Sequence, residues 1–150
     1  RKTESKSTTL TLLDLDKLNP NLFEASIAAL YKKQGFEIYL TPYSNDKGVD
    51  VVVLKKGENY LIQVKQTKSL VGNDAIQEIC TAKNYYENKF SENFNLLTVT
   101  NNDYSSSAKI LAKSNDIQLY NRIDLENLVG NYEITIQEIN KIESQRMTRI

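Results

Sequence analysis

Gly48-Val49-Asp50-Val51-Val52-Val53 and Tyr60-Leu61-Ile62-Gln63-Val64-Lys65 decide how this chain is read. Both runs are rich in β-branched and apolar residues, which predicts two strands. The connection Lys55-Lys56-Gly57-Glu58 is short and its glycine suits a tight turn, so the strands are expected to pair as an antiparallel hairpin. Side chains alternate across a strand, which puts Gln63 and Lys65 on one face and Ile62 and Val64 on the other. Such pairing brings Asp50 alongside Gln63 and Lys65. A carboxylate, a carbonyl oxygen and an ammonium converging at a sheet edge are the groups that metal-assisted attack on a phosphodiester requires.

Moving outward, Asn19-Pro20 reads as an N-cap followed by proline at the first helical position. Phe23, Ile27, Leu30 and Tyr31 recur at helical spacing, and Gly35 supplies the stop. Phe36 to Thr41 alternates as a strand, followed by a loop of turn formers from Pro42 to Gly48. Beyond the hairpin, Val71 to about Asn88 is expected to be helical, capped by Asn73 or Asp74, with Ile76, Ile79, Cys80 and Tyr86 inward. Phe94 to Thr100 and Ile117 to Tyr120 read as strands, with helices over Ser105 to Ser114 and Ile123 to Val129. The stretch from Tyr132 onward, with Ile134, Ile136, Ile139 and Ile142, is expected to be helical. A meander followed by α/β crossovers predicts an α/β three-layer sandwich, a mixed central sheet flanked by helices on both faces.

Composition narrows the chemistry. At 150 residues, 40% of them hydrophobic, the chain can bury the core of one domain. No apolar run approaches the ~20 residues of a membrane span, and no apolar stretch follows the basic N-terminal residues as in a signal peptide. Cys80 has no second cysteine to pair with, which fits a reducing cytoplasm. The chain contains no histidine, which removes imidazole bases, Ser-His-Asp triads and histidine-ligated zinc. Any metal must then be a hard cation held by oxygen: magnesium, with manganese as its substitute. Net charge is zero, so the chain is no general polycation, although lysines such as Lys47, Lys55, Lys56 and Lys68 crowd the segment around the hairpin. Lys47 and Lys68 are the candidates for contact with a phosphate backbone. The sequence opens on Arg1 and its single methionine is Met147, so further domains of a longer parent protein are expected.

Within the hairpin, Asp50 offers an anionic metal ligand, Gln63 its amide oxygen, and Val64, lying between Gln63 and Lys65, its backbone carbonyl. Lys65 is suited to orient water and to stabilise charge building on phosphorus. Glu24 lies about 100° round the first long helix from Phe23, off the centre of the apolar stripe and within reach of the metal. Taken singly, Asp50 reads as a turn residue, Lys65 as a guard on a sheet edge, and Glu24 as a partner of the helix dipole. Gln63 fits such readings least, because a half-buried amide needs partners.

Order and spacing together resemble the PD-(D/E)XK nuclease superfamily, and within it the Mrr-type restriction endonuclease catalytic domain in its Q-x-K variant. The likeness runs from Phe23-Glu24 through Asp46-Lys47-Gly48-Val49-Asp50 and Gln63-Val64-Lys65. It continues through Val71-Gly72, Gln77-Glu78, Thr98-Val99-Thr100, Ser105 to Ala112 and Ile117 to Tyr120 to Leu125–Leu128, and covers roughly residues 20 to 130. Tyr104 stands where the family more often has phenylalanine. The resemblance implies a restriction-endonuclease-like fold and a magnesium-dependent endonuclease acting on DNA, the effector of a restriction or antiviral defence protein. It implies Asp50, Gln63, Lys65 and Glu24 as catalytic residues and Gln77 in a supporting role. Residues 1–18 are then a tail or linker, 19–130 the nuclease domain and 131–150 a helical extension. A single such centre cuts one strand, so a homodimer or larger assembly is expected during double-strand cleavage. A structure-selective junction nuclease, an RNA nuclease, and a catalytically silent nucleic-acid-binding domain are the alternatives. From the amide alone, Gln63→Glu is expected to keep some metal-dependent cleavage.

Overall fold

The computed structural model describes residues 8–43 and 48–149. Within the stretch read as tail or linker, Thr11 and Asp14 form a capping box that starts helix α1 (Leu12–Asp16), which buries Leu12 and Leu15. Helix α2 (Pro20–Lys33) begins at Asn19, whose side chain accepts from the Leu22 N–H at 2.9 Å, with Pro20 at its first position. Strands β1 (Glu37–Leu40), β2 (Val51–Leu54) and β3 (Tyr60–Lys65) follow as an antiparallel meander, with Val51 opposite Ile62. Helix α3 (Asn73–Phe90) is capped by Gly72 rather than by Asn73 or Asp74, both of which lie inside its first turn. Strand β4 (Asn95–Thr100), α4 (Ser106–Ser114), β5 (Ile117–Tyr120), α5 (Arg122–Asn131) and α6 (Ile136–Ser144) complete the chain.

The five strands lie in the order β1-β2-β3-β4-β5, with β3, β4 and β5 mutually parallel. This is the mixed three-layer α/β sandwich expected from the element order. Alternation along the strands feeds two cores. Val51, Val53, Ile62, Val64, Leu97 and Val99 pack toward α1, α2, α5 and α6, while Val52, Leu61 and Leu96 pack toward α3 and α4. No helix among the described residues is long and apolar enough to cross a membrane.

Helix α6 starts at Ile136, later than the isoleucine pattern implied, because Thr135 and Glu138 form a capping box there. Ile134, ahead of the helix, is nonetheless fully buried with Ile139. Since α6 lies across α2, every residue of α2 from Ala25 to Tyr31 is buried, and the small Ala25, Ala28 and Ala29 permit that double coverage. Tyr104 accounts for its hydroxyl: the oxygen lies 2.8 Å from the Thr98 carbonyl and 2.9 Å from the Tyr120 carbonyl, bridging β4 and β5.

Candidate active site

The site forms where β2 and β3 part. Asp50 is the last residue before β2, and its backbone is held from both sides: its N–H donates to the Ile62 carbonyl at 2.9 Å and its carbonyl accepts from the Thr41 N–H at 3.0 Å. The chain then leaves the sheet through Gly48, whose φ of +82° suits glycine. A Cβ at Gly48 would lie 2.7 Å from the Glu78 carbonyl oxygen, so the loop can approach α3 only because that atom is missing. The Val64 N–H loses its backbone partner where the strands part and donates instead to Asp50 Oδ2 at 2.7 Å. In β3, Ile62 and Val64 turn their peptide groups toward β2, whereas the Lys65 carbonyl accepts from Thr100 Oγ1 on the β4 side. The Val64 carbonyl therefore opens to the side where the Asp50 carboxylate stands.

Gln63 and Lys65 share the α3 face, as alternation requires. Gln63 is buried; its Nε2 donates to Glu78 Oε1 at 2.9 Å, and its Oε1 accepts from Thr98 Oγ1 at 3.3 Å. Lys65 Nζ lies 3.2 Å from the same Glu78 oxygen. Glu78 thus ties the amide and the ammonium together. The family resemblance points to its neighbour Gln77 for support, but Gln77 is exposed on α3, and among the described residues Glu78 makes those contacts. The available signal was the buried amide itself, which demanded a polar partner from the facing helix.

Glu24, half-buried on α2, pairs with Arg146 Nη1 at 3.0 Å. Burial and, next, the charge of Asp50 raise its carboxyl from 4.5 to about 7, against the opposing pull of Arg146. Burial likewise pushes Asp50 up, partly offset by the Val64 N–H and by Lys65 and Arg146. No local pattern marks Arg146, which lies 122 positions from its partner. Lys47 lies outside the described residues. Lys68 is exposed beside a cavity of about 720 Å³ beyond the ends of β3, β4 and β5, which Arg122 and Asn101 also line.

Among the described residues no three His, Cys, Asp or Glu side chains converge as a metal cage. The donor set is two carboxylates that repel each other, Asp50 and Glu24, and the Val64 carbonyl on the Asp50 side of β3. The Gln63 amide oxygen, expected from the sequence as a metal ligand, is instead turned to the Thr98 hydroxyl. Among the described residues, four carboxylates (Glu24, Asp50, Glu78, Glu143) face two cations (Lys65, Arg146), a surplus that one divalent ion neutralises. All-oxygen donors and that charge fit magnesium or manganese.

An α/β sandwich with an acidic residue at the parting of two strands and Q-x-K on the next one defines a nuclease-like class of fold. The sequence matches the restriction endonuclease family of Mrr catalytic domains over residues 15–129, and the chain belongs to that family. Among solved structures, the DNA modification-dependent restriction endonuclease AspBHI is similar with a TM-score of 0.58 at 15% identity, over 89% of this chain and 38% of that one. EndoMS, from a complex with dsDNA, gives 0.55 at 14% identity over 81% and 48%. The MspJI restriction endonuclease, in complex with a 27-mer oligonucleotide, gives 0.52 at 18% identity over 78% and 30%. The chain thus spans less than half the length of each of these three proteins, and the likeness is one of fold. No curated protein matches the chain significantly.

Proposed function

We propose that this chain is a magnesium-dependent endonuclease domain that hydrolyses DNA phosphodiester bonds, the effector of a cytoplasmic restriction or defence protein with recognition domains elsewhere. The observation that supports it most is the joint placement of Asp50, Gln63 and Lys65 at the end of β3, locked by Val64 and Glu78. Family membership, the dsDNA named with EndoMS and the DNA named for AspBHI favour DNA as the substrate.

Asp50, Glu24 and the Val64 carbonyl are the groups to hold the ion; the Gln63 amide oxygen would join them only by giving up its contact with the Thr98 hydroxyl. When bound, magnesium supplies charge neutralisation at the phosphate and activation of water. Lys65 has three N–H donors, so the one engaged by Glu78 leaves others to orient the attacking water and a phosphoryl oxygen. Glu78 fixes that ammonium and presents the Gln63 side chain in one rotamer. A double-strand break requires two such centres or two successive nicks, and we expect at least transient dimers on DNA.

Incubation with supercoiled plasmid tests the reading: nicked, then linear, product should form with magnesium or manganese and not with EDTA. Asp50→Asn and Lys65→Ala should each lower the rate by about 100-fold or more. Branched DNA and RNA in parallel assign the substrate class. A folded protein that cuts none of these under any divalent metal would sink the proposal.

A further inference from the structure

The segment after α6 sends one side chain back across the molecule. The Arg146 side chain is 3% exposed, and every nitrogen of its guanidinium is engaged. Nη1 meets Glu24 Oε1 at 3.0 Å and the Thr41 carbonyl at 2.8 Å. Nη2 meets Glu143 Oε1 at 2.8 Å and the Asn21 carbonyl at 3.3 Å, while Nε meets Glu143 Oε2 at 3.0 Å. The Tyr43 ring covers the guanidinium at 4.8 Å, and the Tyr43 hydroxyl donates to Glu143. The Met147 N–H donates to the Leu40 carbonyl at 3.1 Å, which pins the segment against β1.

These contacts join two parts that border Asp50. Asn21 and Glu24 belong to the start of α2, and Thr41 bonds the Asp50 backbone directly. Glu143 engages the guanidinium in a fork, which fixes its plane and leaves Nη1 for Glu24. The contact occupies Oε1 of Glu24, and a carboxylate has a second oxygen for a cation. Arg146 lies beyond residue 129, where the family match ends, so family membership does not assign it.

We propose that Arg146 is a positioning residue that holds the Glu24 carboxylate at the metal-binding edge of the site and shares its charge with Glu143. The inference rests on the nuclease reading and adds to it a part of the site supplied by the C-terminal segment. Lysine cannot replace it fully, because a single ammonium cannot span two carboxylates and two carbonyls in fixed planes.

Manganese binding to the 150-residue chain without DNA, measured by isothermal titration calorimetry, is the test. Arg146→Met should weaken binding by about tenfold or more, the usual scale for a residue supporting a metal ligand. In a Glu24→Gln background the same change should add less than about twofold, because it acts through Glu24. Arg146→Lys should fold and fall between wild type and Arg146→Met; should the methionine variant fail to fold, the lysine variant carries the same comparison against Glu24→Gln. Wild-type affinity in the folded Arg146 variants overturns the proposal. So does tighter binding, which would make Arg146 a competitor of the ion, and so do losses that multiply in the double variant. Wild-type binding that is absent, or that ignores Asp50→Asn, would instead sink the nuclease reading and this inference with it.

Discussion

At the scale of single residues, Gln63 and Glu78 behave as one unit. The amide looks like a carboxylate lost from the strand, and on that basis Gln63→Glu was expected to keep some cleavage. The structure changes that expectation, because the new carboxylate would face Glu78 at the 2.9 Å now spanned by a hydrogen bond. Like charges so close are strongly unfavourable. Gln63→Glu alone should lower the melting midpoint and most of the activity, and Gln63→Glu with Glu78→Gln should recover both. Failure of the double variant to improve on the single one, in melting and in plasmid cleavage, would show that the pair is not exchangeable.

Glu24 carries a second residue-scale prediction. Its carboxyl rises from 4.5 unfolded to about 7 in the fold, so the native state binds more protons between those values. The stability this contributes is fully present below about 4.5 and is lost as pH rises through about 7. Measured in EDTA, the melting midpoint of wild type relative to Glu24→Gln should fall across that window. Saturating magnesium should flatten the trend. A relative midpoint that stays level or climbs with pH in EDTA would contradict the assignment.

At the scale of elements, the site depends on how closely the loop before β2 meets α3. Gly48 combines φ +82° with a Cβ position 2.7 Å from a helix carbonyl, and backbone on both sides leaves little room to relax. Gly48→Ala should cost about 1–3 kcal/mol in urea denaturation from backbone strain, and more where the contact does not yield. It should also impair cleavage by shifting Asp50 against Glu78. The helix spacing of α2 was readable because its cap, proline and apolar stripe all act locally. Its outer face, by contrast, was not expected to be buried, since the helix that covers it lies more than a hundred residues later.

At the scale of the whole molecule, residues 131–150 complete both the core and the site. Ile134, Ile139 and Ile142 are buried, and each contributes about 1.5–3 kcal/mol of burial. Their sum is comparable with the whole stability of an ordinary domain. A chain ending at residue 130 should therefore be largely unfolded by circular dichroism, even though it holds the entire family-matched region. A cooperative melt of that shorter chain near the wild-type midpoint would refute this.

Apart from the short α1, whose two buried leucines find their core only in the folded molecule, the sequence by itself determined the elements, their order and the face on which Gln63 and Lys65 stand. Those follow from caps, turns and side-chain alternation, which act over a few residues. The choice of Asp50 as the acid at the strand edge was legible for the same reason, since the hairpin register depends on a short turn. Glu78 and Arg146 were decided only by the tertiary structure. A helix surface residue acquires a role only when a strand is laid against it, and an arginine near the end of the chain acquires one only when α6 folds back over α2.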